Sequence, residues 1–220
     1  MTSKPAAYSS TLQANQLRAL QTLGPVLTAL HYHLAGGVGI ALRYGHRQSV
    51  DLDFFRIQAV GDASSVVHRL AVEVPELVVT AQEPGTVKAV LFGVQVSLFD
   101  HASPLLAPPE PLGDTETSVA TPQDLMAMKL LAIQNRADKK DFVDLFTLLT
   151  ESHETLADAL AHFQERYHGD LLSIARALVY FREADKQPNL LLLKPIEWPQ
   201  VKAYFTDAVL DWEHSRPKAS

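Results

Sequence analysis

The sequence predicts an α+β protein in which a small sheet flanked by helices is followed by a helical C-terminal part. Three observations support this fold class. Apolar residues recur at helical spacing in residues 11–30, strand-like segments cluster in residues 77–99, and helical patterns dominate from Pro122 onward. We therefore expect an α/β domain over residues 1–120 and a helical domain over residues 121–220.

Composition and charge narrow the class of protein. With 47% hydrophobic and 20% charged residues, the chain has enough apolar content for a folded core. It contains no cysteine, which excludes disulfides and thiolate metal sites. The formal net charge of -6 argues against general DNA binding, and no apolar run is long enough to span a membrane. The N-terminus lacks the apolar core of a signal peptide, so we expect a cytoplasmic protein.

The elements of the N-terminal domain follow from apolar spacing and from the positions of glycine and proline. Leucines at helical intervals indicate a first helix with a kink near Pro25, and Pro75 ends a second amphipathic helix. Apolar, β-branched segments between glycine turns indicate strands. In chain order we expect helix 11–30, strand 32–34, helix 38–44, strand 50–55, helix 62–74 and strands 77–81, 86–92 and 94–99.

The C-terminal half is predicted to be helical after an irregular connection. Residues 102–122 are rich in proline and small polar residues, which is typical of such a connection. Thr121 and Pro122 suit the N-cap and the first turn of the helix that follows. The apolar run 190–193 suits either a buried strand-like segment or a strip that binds a partner. Helices are expected at residues 123–134, 139–150, 153–167, 171–184 and 200–213.

A glycine pair before a short helix offers a place for phosphate. Gly36 and Gly37 separate the strand 32–34 from the helix 38–44. Residues without side chains let a phosphate approach the backbone N–H groups at a helix N-terminus. Most glycine pairs form ordinary turns, so this pair indicates a phosphate site only in combination with the residues that follow it.

Two aspartates lie one residue apart on the next strand. Asp51 and Asp53 would project from one face of strand 50–55, with Leu52 and Phe54 on the other. Carboxylates arranged in this way can hold one or two hard divalent cations that also bind substrate phosphates. A surface strand with solvated aspartates is the plainer alternative, but unpaired carboxylates among these apolar residues would be costly to bury.

In this order the residues resemble the nucleotidyltransferases of the AbiEii/AbiGii toxin type, within the DNA polymerase β-like nucleotidyltransferase superfamily. The opening motif of that family resembles a glycine pair, a short helix and then His-Arg-x-Ser-x-Asp-Leu-Asp-Phe. The resemblance runs from Leu30 to Leu149 and implies a nucleotidyltransferase-type small mixed sheet flanked by helices, followed by a helical C-terminal part. The matching residues are Gly36, Gly37, His46, Arg47, Ser49, Asp51, Leu52, Asp53 and Phe54.

The resemblance also implies roles for these residues. The glycine pair would contact the nucleotide phosphates, and Arg47 and Ser49 would shape the phosphate pocket. Asp51 and Asp53 would be catalytic residues that hold Mg²⁺. Val38 departs from the family, which often has a hydroxyl residue there, so one side-chain contact to phosphate would be lost.

A second informative stretch lies on the first two helices of the C-terminal half. Asp141 and Asp144 would share one helix face, and Lys129 lies among apolar residues where a lysine needs an anionic partner. A nucleotide phosphate would serve as that partner, and so would either aspartate. The resemblance implies that Lys129 binds nucleotide and that Lys140 and Asp141 are catalytic, with the active cleft between the two domains. The residues that match the family are Lys129, Arg136, Lys140, Asp141 and Asp144.

Members of the superfamily usually take a third carboxylate from a later strand. Here the strand face that would carry it presents Gln95 and Ser97, which are neutral. Asp100 ends that strand, but its side chain would point to the face opposite to that of Gln95 and Ser97. Asp141 is the other candidate, since cationic neighbours can hold a helical aspartate ionised. We expect Asp141 rather than Asp100 to act as the acid or base.

These features predict a Mg²⁺-dependent nucleotidyltransferase that transfers a nucleoside monophosphate from an NTP to an acceptor. The acceptor is left open among RNA, a protein side chain and a small molecule. A toxin–antitoxin or phage-defence role, with a cognate antitoxin as partner, is implied by the resemblance alone. Glycosyltransferases also use an Asp-x-Asp strand end with Mn²⁺, but they lack the preceding glycine-helix module. The stronger alternative is a catalytically impaired protein of the same fold that binds nucleotide or another protein.

Overall fold

The computed structural model describes residues 9–57, 63–111 and 116–216, which divide into two compact units. The first unit ends at Thr121 and the second begins at Pro122. The first unit carries a β-sheet and its covering helices, and the second is built from helices.

One mixed sheet organises the first unit. Its strands are β1 (His33–Leu34), β2 (Leu52–Ile57), β3 (Val78–Glu83), β4 (Thr86–Leu91), β5 (Val94–His101), β6 (Glu110–Pro111) and β7 (Ser118–Val119). Over the residues described, the spatial order is β3-β4-β5-β2-β1-β7-β6. The β2–β5 and β1–β7 pairs are parallel, and the other neighbours are antiparallel. The predicted α+β class with a small mixed sheet is therefore confirmed.

Three helices bury one face of this sheet. They are α1 (Ala14–Ala29), which continues through Pro25, α2 (Gly36–Tyr44) and α3 (Ser64–Glu73), and a single 3-10 turn at Ser9–Thr11 precedes them. Alternate residues of the strands point into the same core as the apolar residues of the helices, as the period of two in a strand requires. Members of this core include Leu20, Leu23, Leu27, Leu42, Leu52, Phe54, Leu70, Val87, Val96 and Leu98.

The predicted irregular connection over residues 102–122 was partly wrong. It contains β6 and β7, and β7 extends the sheet by pairing in parallel with β1. Strands of two residues are too short to show the alternation by which a strand is recognised. What holds β7 is tertiary pairing: the Ala120 N–H donates to the carbonyl oxygen of Leu34 at 2.9 Å. Asp62, the expected first residue of the second helix, lies outside the described residues.

The second unit is a helical bundle with α4 at its centre. Its helices are α4 (Pro122–Arg136), α5 (Lys139–Ser152), α6 (Leu156–Tyr167), α7 (Leu171–Leu178), α8 (Arg182–Asp185) and α9 (Trp198–Ser215). Helix α4 packs against α5, α6 and α7, and α9 contacts the same three helices. Asp124 in the first turn of α4 forms a fully buried ion pair with Arg166 of α6, which ties these two helices together.

Two expectations for the second unit need correction. The single helix predicted over residues 171–184 is broken between α7 and α8, where Phe181 turns in to place its ring 5.3 Å from that of Phe142. In the run 190–193, Leu191 and Leu193 are exposed, so a buried strand is excluded. A partner-binding strip there stays a prediction.

Candidate functional site

Gly36, the first residue of the glycine pair, lies directly against Asp53. Gly36 begins α2 with a left-handed φ of +62°, a conformation that residues with a Cβ rarely adopt. A Cβ on Gly36 would lie 2.8 Å from Asp53 Oδ2. The backbone N–H of Ala35 donates to the carbonyl oxygen of Asp53 at 2.9 Å, which fixes the start of α2 against β2. Glycine is therefore required here for the carboxylate to approach the helix start.

Gly37 lies equally close to Arg47 and Ser49, in the turn that precedes β2. A Cβ on Gly37 would lie 2.5 Å from both Arg47 Nη2 and Ser49 Oγ. Arg47 is buried, with 4% of its surface exposed, whereas both glycines are half-buried. The structure thus brings five of the predicted site residues together around the N-terminus of one helix: Gly36, Gly37, Arg47, Ser49 and Asp53.

Strand β2 places Asp53 on the side opposite to the core. Asp53 is half-buried, while Leu52 and Phe54 on either side of it are fully buried in the core, as the predicted division of this strand into two faces requires. The strand begins at Leu52 rather than at the predicted residue 50, so Asp51 lies just before it and is exposed. That Asp51 shares a face with Asp53 stays a prediction.

The turn before β2 is held by a residue that sequence reasoning missed. Gln16 of α1 donates from Nε2 to the carbonyl oxygens of Ser49 at 2.7 Å and Val50 at 2.9 Å. Arg47 Nη1 donates to the carbonyl oxygen of Gln48 at 2.8 Å, which adds a contact within the turn. Gln16 lies four residues before Leu20 and seven before Leu23, so helical spacing places it on the buried face of α1, and a polar residue on that face was the signal that could have identified it.

The face of β5 that lies beside Asp53 presents Gln95, Ser97 and Phe99, and none of these is an acid. In the parallel ladder Ser97 of β5 pairs with Asp53, and Lys88 of β4 pairs with Ser97 on its other side. The neutral residue predicted at this position is thus observed directly next to the half-buried carboxylate.

Asp100 lies on the face of the sheet opposite to that of Asp53 and Ser97, as its position in the strand predicted. It is buried, and it accepts hydrogen bonds from Tyr32 Oη at 2.7 Å and from Arg56 Nε and Nη2 at 3.0 and 2.8 Å. Burial and the hydrogen bond to Asp100 raise the pKa of Tyr32 well above its ordinary value. This cluster ties β1, β2 and β5 together, and sequence reasoning did not identify Tyr32 or Arg56 as the partners of Asp100.

The residues predicted on the second motif form a buried ion network in the second unit. Lys129 Nζ lies 2.8 Å from Asp141 Oδ1 and 2.7 Å from Asp144 Oδ2, and both carboxylates are fully buried. Arg136 donates to both oxygens of Asp141 at 2.7 and 2.9 Å. Of the anionic partners considered for Lys129, the two aspartates are the ones observed.

Electrostatics stabilise the charged forms of Lys129 and Asp141. Burial alone would lower the pKa of Lys129, but the nearby charges of Asp144 and Asp141 outweigh it and raise that pKa. Burial would raise the pKa of Asp141, but Lys129 and Arg136 outweigh it and lower that pKa. A carboxylate that two cations hold ionised is a poor proton acceptor, so these contacts favour a structural role for Asp141. Its role as acid or base stays a prediction.

Lys140 lies at the edge of this network. Its side chain is 43% exposed, and Nζ is 4.0 Å from Asp138 Oδ2. The neighbouring Lys139 is buried instead and donates from Nζ to the carbonyl oxygen of Gln187 at 2.6 Å. The catalytic role of Lys140, the nucleotide-binding role of Lys129 and the cleft between the two domains stay predictions.

The described ranges hold no grouping of three or more His, Cys, Asp or Glu side chains suited to a metal ion. That Asp51 and Asp53 hold a metal ion stays a prediction. Within the same ranges, every helix is too short or too polar to cross a membrane.

Comparisons with known proteins identify the family of this chain. A family model described as "Nucleotidyl transferase AbiEii toxin, Type IV TA system" matches residues 18–95 and 95–216. The chain is also 30% identical over 204 residues to a protein of Aquifex aeolicus (strain VF5), aq_aa25, covering 91% of this chain and 97% of that one.

Two solved structures share the fold. MenT4, the nucleotidyltransferase toxin Rv2826c from Mycobacterium tuberculosis H37Rv, superimposes with a TM-score of 0.60 at 15% identity, over 91% of this chain and 83% of that one. JHP933 from Helicobacter pylori superimposes with a TM-score of 0.56, also at 15% identity, over 96% and 97% of the two chains. Together with the family match over both units, the packing of Gly36 against Asp53 leads to one conclusion: this chain belongs to the AbiEii nucleotidyl transferase toxin family.

Proposed function

We propose that this protein transfers a nucleoside monophosphate from an NTP to an acceptor hydroxyl. The observation that carries the proposal is the approach of Gly36 to Asp53 and of Gly37 to Arg47 and Ser49. One helix start thus joins backbone N–H groups, a guanidinium and a carboxylate. A triphosphate needs this combination, because donors and a cation bind its oxygens while the carboxylate holds the metal that accompanies it.

The residues of the chain divide the work in the proposed reaction. The N–H groups at the start of α2, with Arg47 and Ser49, bind and orient the β- and γ-phosphates. The acceptor oxygen attacks the α-phosphorus in line, the bond from that phosphorus to the bridging oxygen breaks, and pyrophosphate leaves. The proton of the acceptor hydroxyl passes to solvent, because the neighbouring strand offers only Ser97 at that place.

The residues present suit Mg²⁺. Asp53 on β2 and the exposed Asp51 just before it carry hard oxygen donors, and Mg²⁺ in nucleotide sites commonly binds one or two carboxylates together with water and phosphate oxygens. Bound there, Mg²⁺ would offset the charge of the phosphates and polarise the reacting one.

Pyrophosphate release tests the proposal. Purified protein is incubated with each NTP, Mg²⁺ and a mixture of candidate acceptors, and released pyrophosphate is measured. We expect release from the wild-type chain and none from Asp53→Asn. Glu76→Gln, which neutralises an exposed carboxylate in the same unit, is the matched control and should retain activity. Release that is unaffected by Asp53→Asn would contradict the assignment.

A nucleotide-binding protein without transferase activity is the second candidate. It is supported by the neutral Gln95 and Ser97 on the strand beside the aspartates and by the engagement of Asp100 on the buried face. Such a protein would bind NTP with Mg²⁺, as measured by calorimetry, and would release no pyrophosphate with any acceptor.

The family's toxin description supports a further part of the proposal, a toxin role with an antitoxin as partner in the cytoplasm. Expression in a bacterial host without that partner should arrest growth for the wild-type chain and not for Asp53→Asn. Equal growth of the two strains would count against the toxin role.

A further inference from the structure

Aromatic side chains continue the sheet face that carries Asp53. In the β2–β5 ladder the Asp53–Ser97 pair is followed on the same face by the Phe55–Phe99 pair. The two phenylalanine rings stack with centroids 5.0 Å apart and an interplanar angle of 29°. The ring of His101 meets that of Phe55 edge-on at 5.9 Å. We call Phe55, Phe99 and His101 the aromatic strip.

The aromatic strip lies outside the buried core of the sheet. Its members are half-buried, whereas the residues that alternate with them, such as Phe54 and Leu98, are buried among the core residues. Part of each ring therefore stays accessible beside the candidate reaction centre. Stacked rings with accessible surface offer a face on which another planar ring can bind.

The phosphate-binding residues set the direction in which a nucleotide would extend. Strand β1 runs antiparallel to β2 and pairs Leu34 with Phe54, so the glycines that follow β1 lie toward the start of β2. Phe55 lies in the opposite direction along β2. Residues two apart on a strand are separated by roughly 6–7 Å. An NTP whose α-phosphate is at Asp53 therefore has its nucleoside within reach of the aromatic strip.

We propose that the aromatic strip is the subsite for the nucleobase of the NTP. The inference rests on the proposed function, since it places the α-phosphate at Asp53. The base stacks on the ring of Phe99 or Phe55, and the edge-on His101 limits how far it slides along the strand. Because every base has a π-face, stacking tolerates all of them, so the strip provides affinity with little discrimination between bases.

Binding of two probes tests the inference. Dissociation constants are measured by calorimetry, with Mg²⁺, for an NTP and for inorganic tripolyphosphate, which lacks the nucleoside. Phe99→Leu keeps an apolar side chain of similar size but removes the aromatic ring. Phe99→Trp replaces the ring with a larger aromatic one. Phe92→Leu, at a half-buried aromatic outside the strip, is the matched control. Melting temperatures report the structural cost of each change separately.

We expect Phe99→Leu to weaken NTP binding about tenfold and tripolyphosphate binding hardly at all, with Phe99→Trp near wild type. An equal loss for both probes, or no loss for either, would overturn the inference. A wild-type chain that binds no NTP would also overturn it.

The two proposals fail in different ways. If NTP binding shows the expected contrast but no pyrophosphate is released, the proposed transfer is wrong and the base subsite stands. If pyrophosphate is released and Phe99→Leu changes neither probe, the transfer stands and the base subsite is wrong.

Discussion

Ser97 pairs with Asp53 across the parallel β2–β5 ladder, so a hydroxyl occupies the position next to the half-buried carboxylate. A side chain at residue 97 therefore lies beside the candidate metal site without any change of backbone. This makes the contribution of an acid at that position measurable by a single substitution.

Ser97→Asp should raise the rate of pyrophosphate release. A carboxylate there can accept the proton of the acceptor hydroxyl, and general-base help is typically worth ~10²–10⁴-fold. Steady-state kinetics at saturating NTP and Mg²⁺ would measure the change, with Ser97→Asn as the control of similar size. A rate that does not rise would mean that proton transfer does not limit turnover.

Asp51→Asn and Asp53→Asn should each abolish Mg²⁺-dependent NTP binding while the fold remains intact. Neither substitution changes the size of the side chain or removes core packing, because Asp51 is exposed and Asp53 is half-buried outside the core. For the wild type, ligand at about 100 times its Kd should add about 2.7 kcal/mol of stability. Thermal melts with and without Mg²⁺-NTP would measure this, and an undiminished shift in both variants would remove the aspartates from the site.

Gly36 should respond to alanine differently from Gly93, which also has a left-handed backbone but has open surroundings. Gly36→Ala combines left-handed strain of roughly 1–2 kcal/mol with a contact to Asp53. Gly93 has a φ of +79° and nothing within 4 Å of a Cβ, so Gly93→Ala measures the strain alone. We expect both variants to lose stability in denaturant titrations, and only Gly36→Ala to lose NTP affinity.

Lys129→Met should be strongly destabilising. It leaves Asp141 and Asp144 fully buried without their shared lysine, and breaking a buried ion pair in this way costs about 3–5 kcal/mol. Lys140→Met removes a half-exposed lysine on the same helix pair and should change stability by less than about 0.5 kcal/mol. Urea unfolding of the two variants at neutral pH would measure the difference.

The same network predicts the direction of a pH effect. The pKa of Asp141 is lowered in the folded protein, so its contribution to stability is present above the ordinary aspartate pKa of about 3.9. That contribution is lost as the pH falls through the lower, folded-state pKa. The raised pKa of Lys129 makes its contribution fade only in strongly alkaline solution. Asp141→Asn should therefore flatten the acid limb of stability against pH.

Kinetics can separate a structural Asp141 from a catalytic one. If Asp141 is the base, folded Asp141→Asn protein should bind NTP normally and release pyrophosphate at least a hundredfold more slowly. If its contacts with Lys129 and Arg136 are structural, activity should follow the folded fraction. Asp100→Asn, which disturbs the ion pair with Arg56, is the matched comparison.

Sequence reasoning identified the elements whose signal is local. The order of helices and strands, the two faces of β2 and the neutral residues on β5 follow from periodicity that can be counted along the chain. The environment of Gln16 could not be predicted, because its hydrogen bonds to Ser49 and Val50 join residues more than thirty positions apart. The partners of Asp100 were missed for the same reason. Predicting which anion satisfies Lys129 likewise required knowing how two helices pack.

Strand β7 determines where the chain can be divided. Ser118–Val119 pairs with β1, and Arg43 of α2 donates to the carbonyl oxygen of Ala120 at 2.9 Å. A shortened protein that ends at His101 would lose β6 and β7 and leave β1 as a bare edge, which invites pairing with other chains. One that ends at Thr121 would keep that edge covered and the helix that bears the glycine pair anchored. A shortened protein that contains only the first unit should therefore end between Thr121 and Pro122.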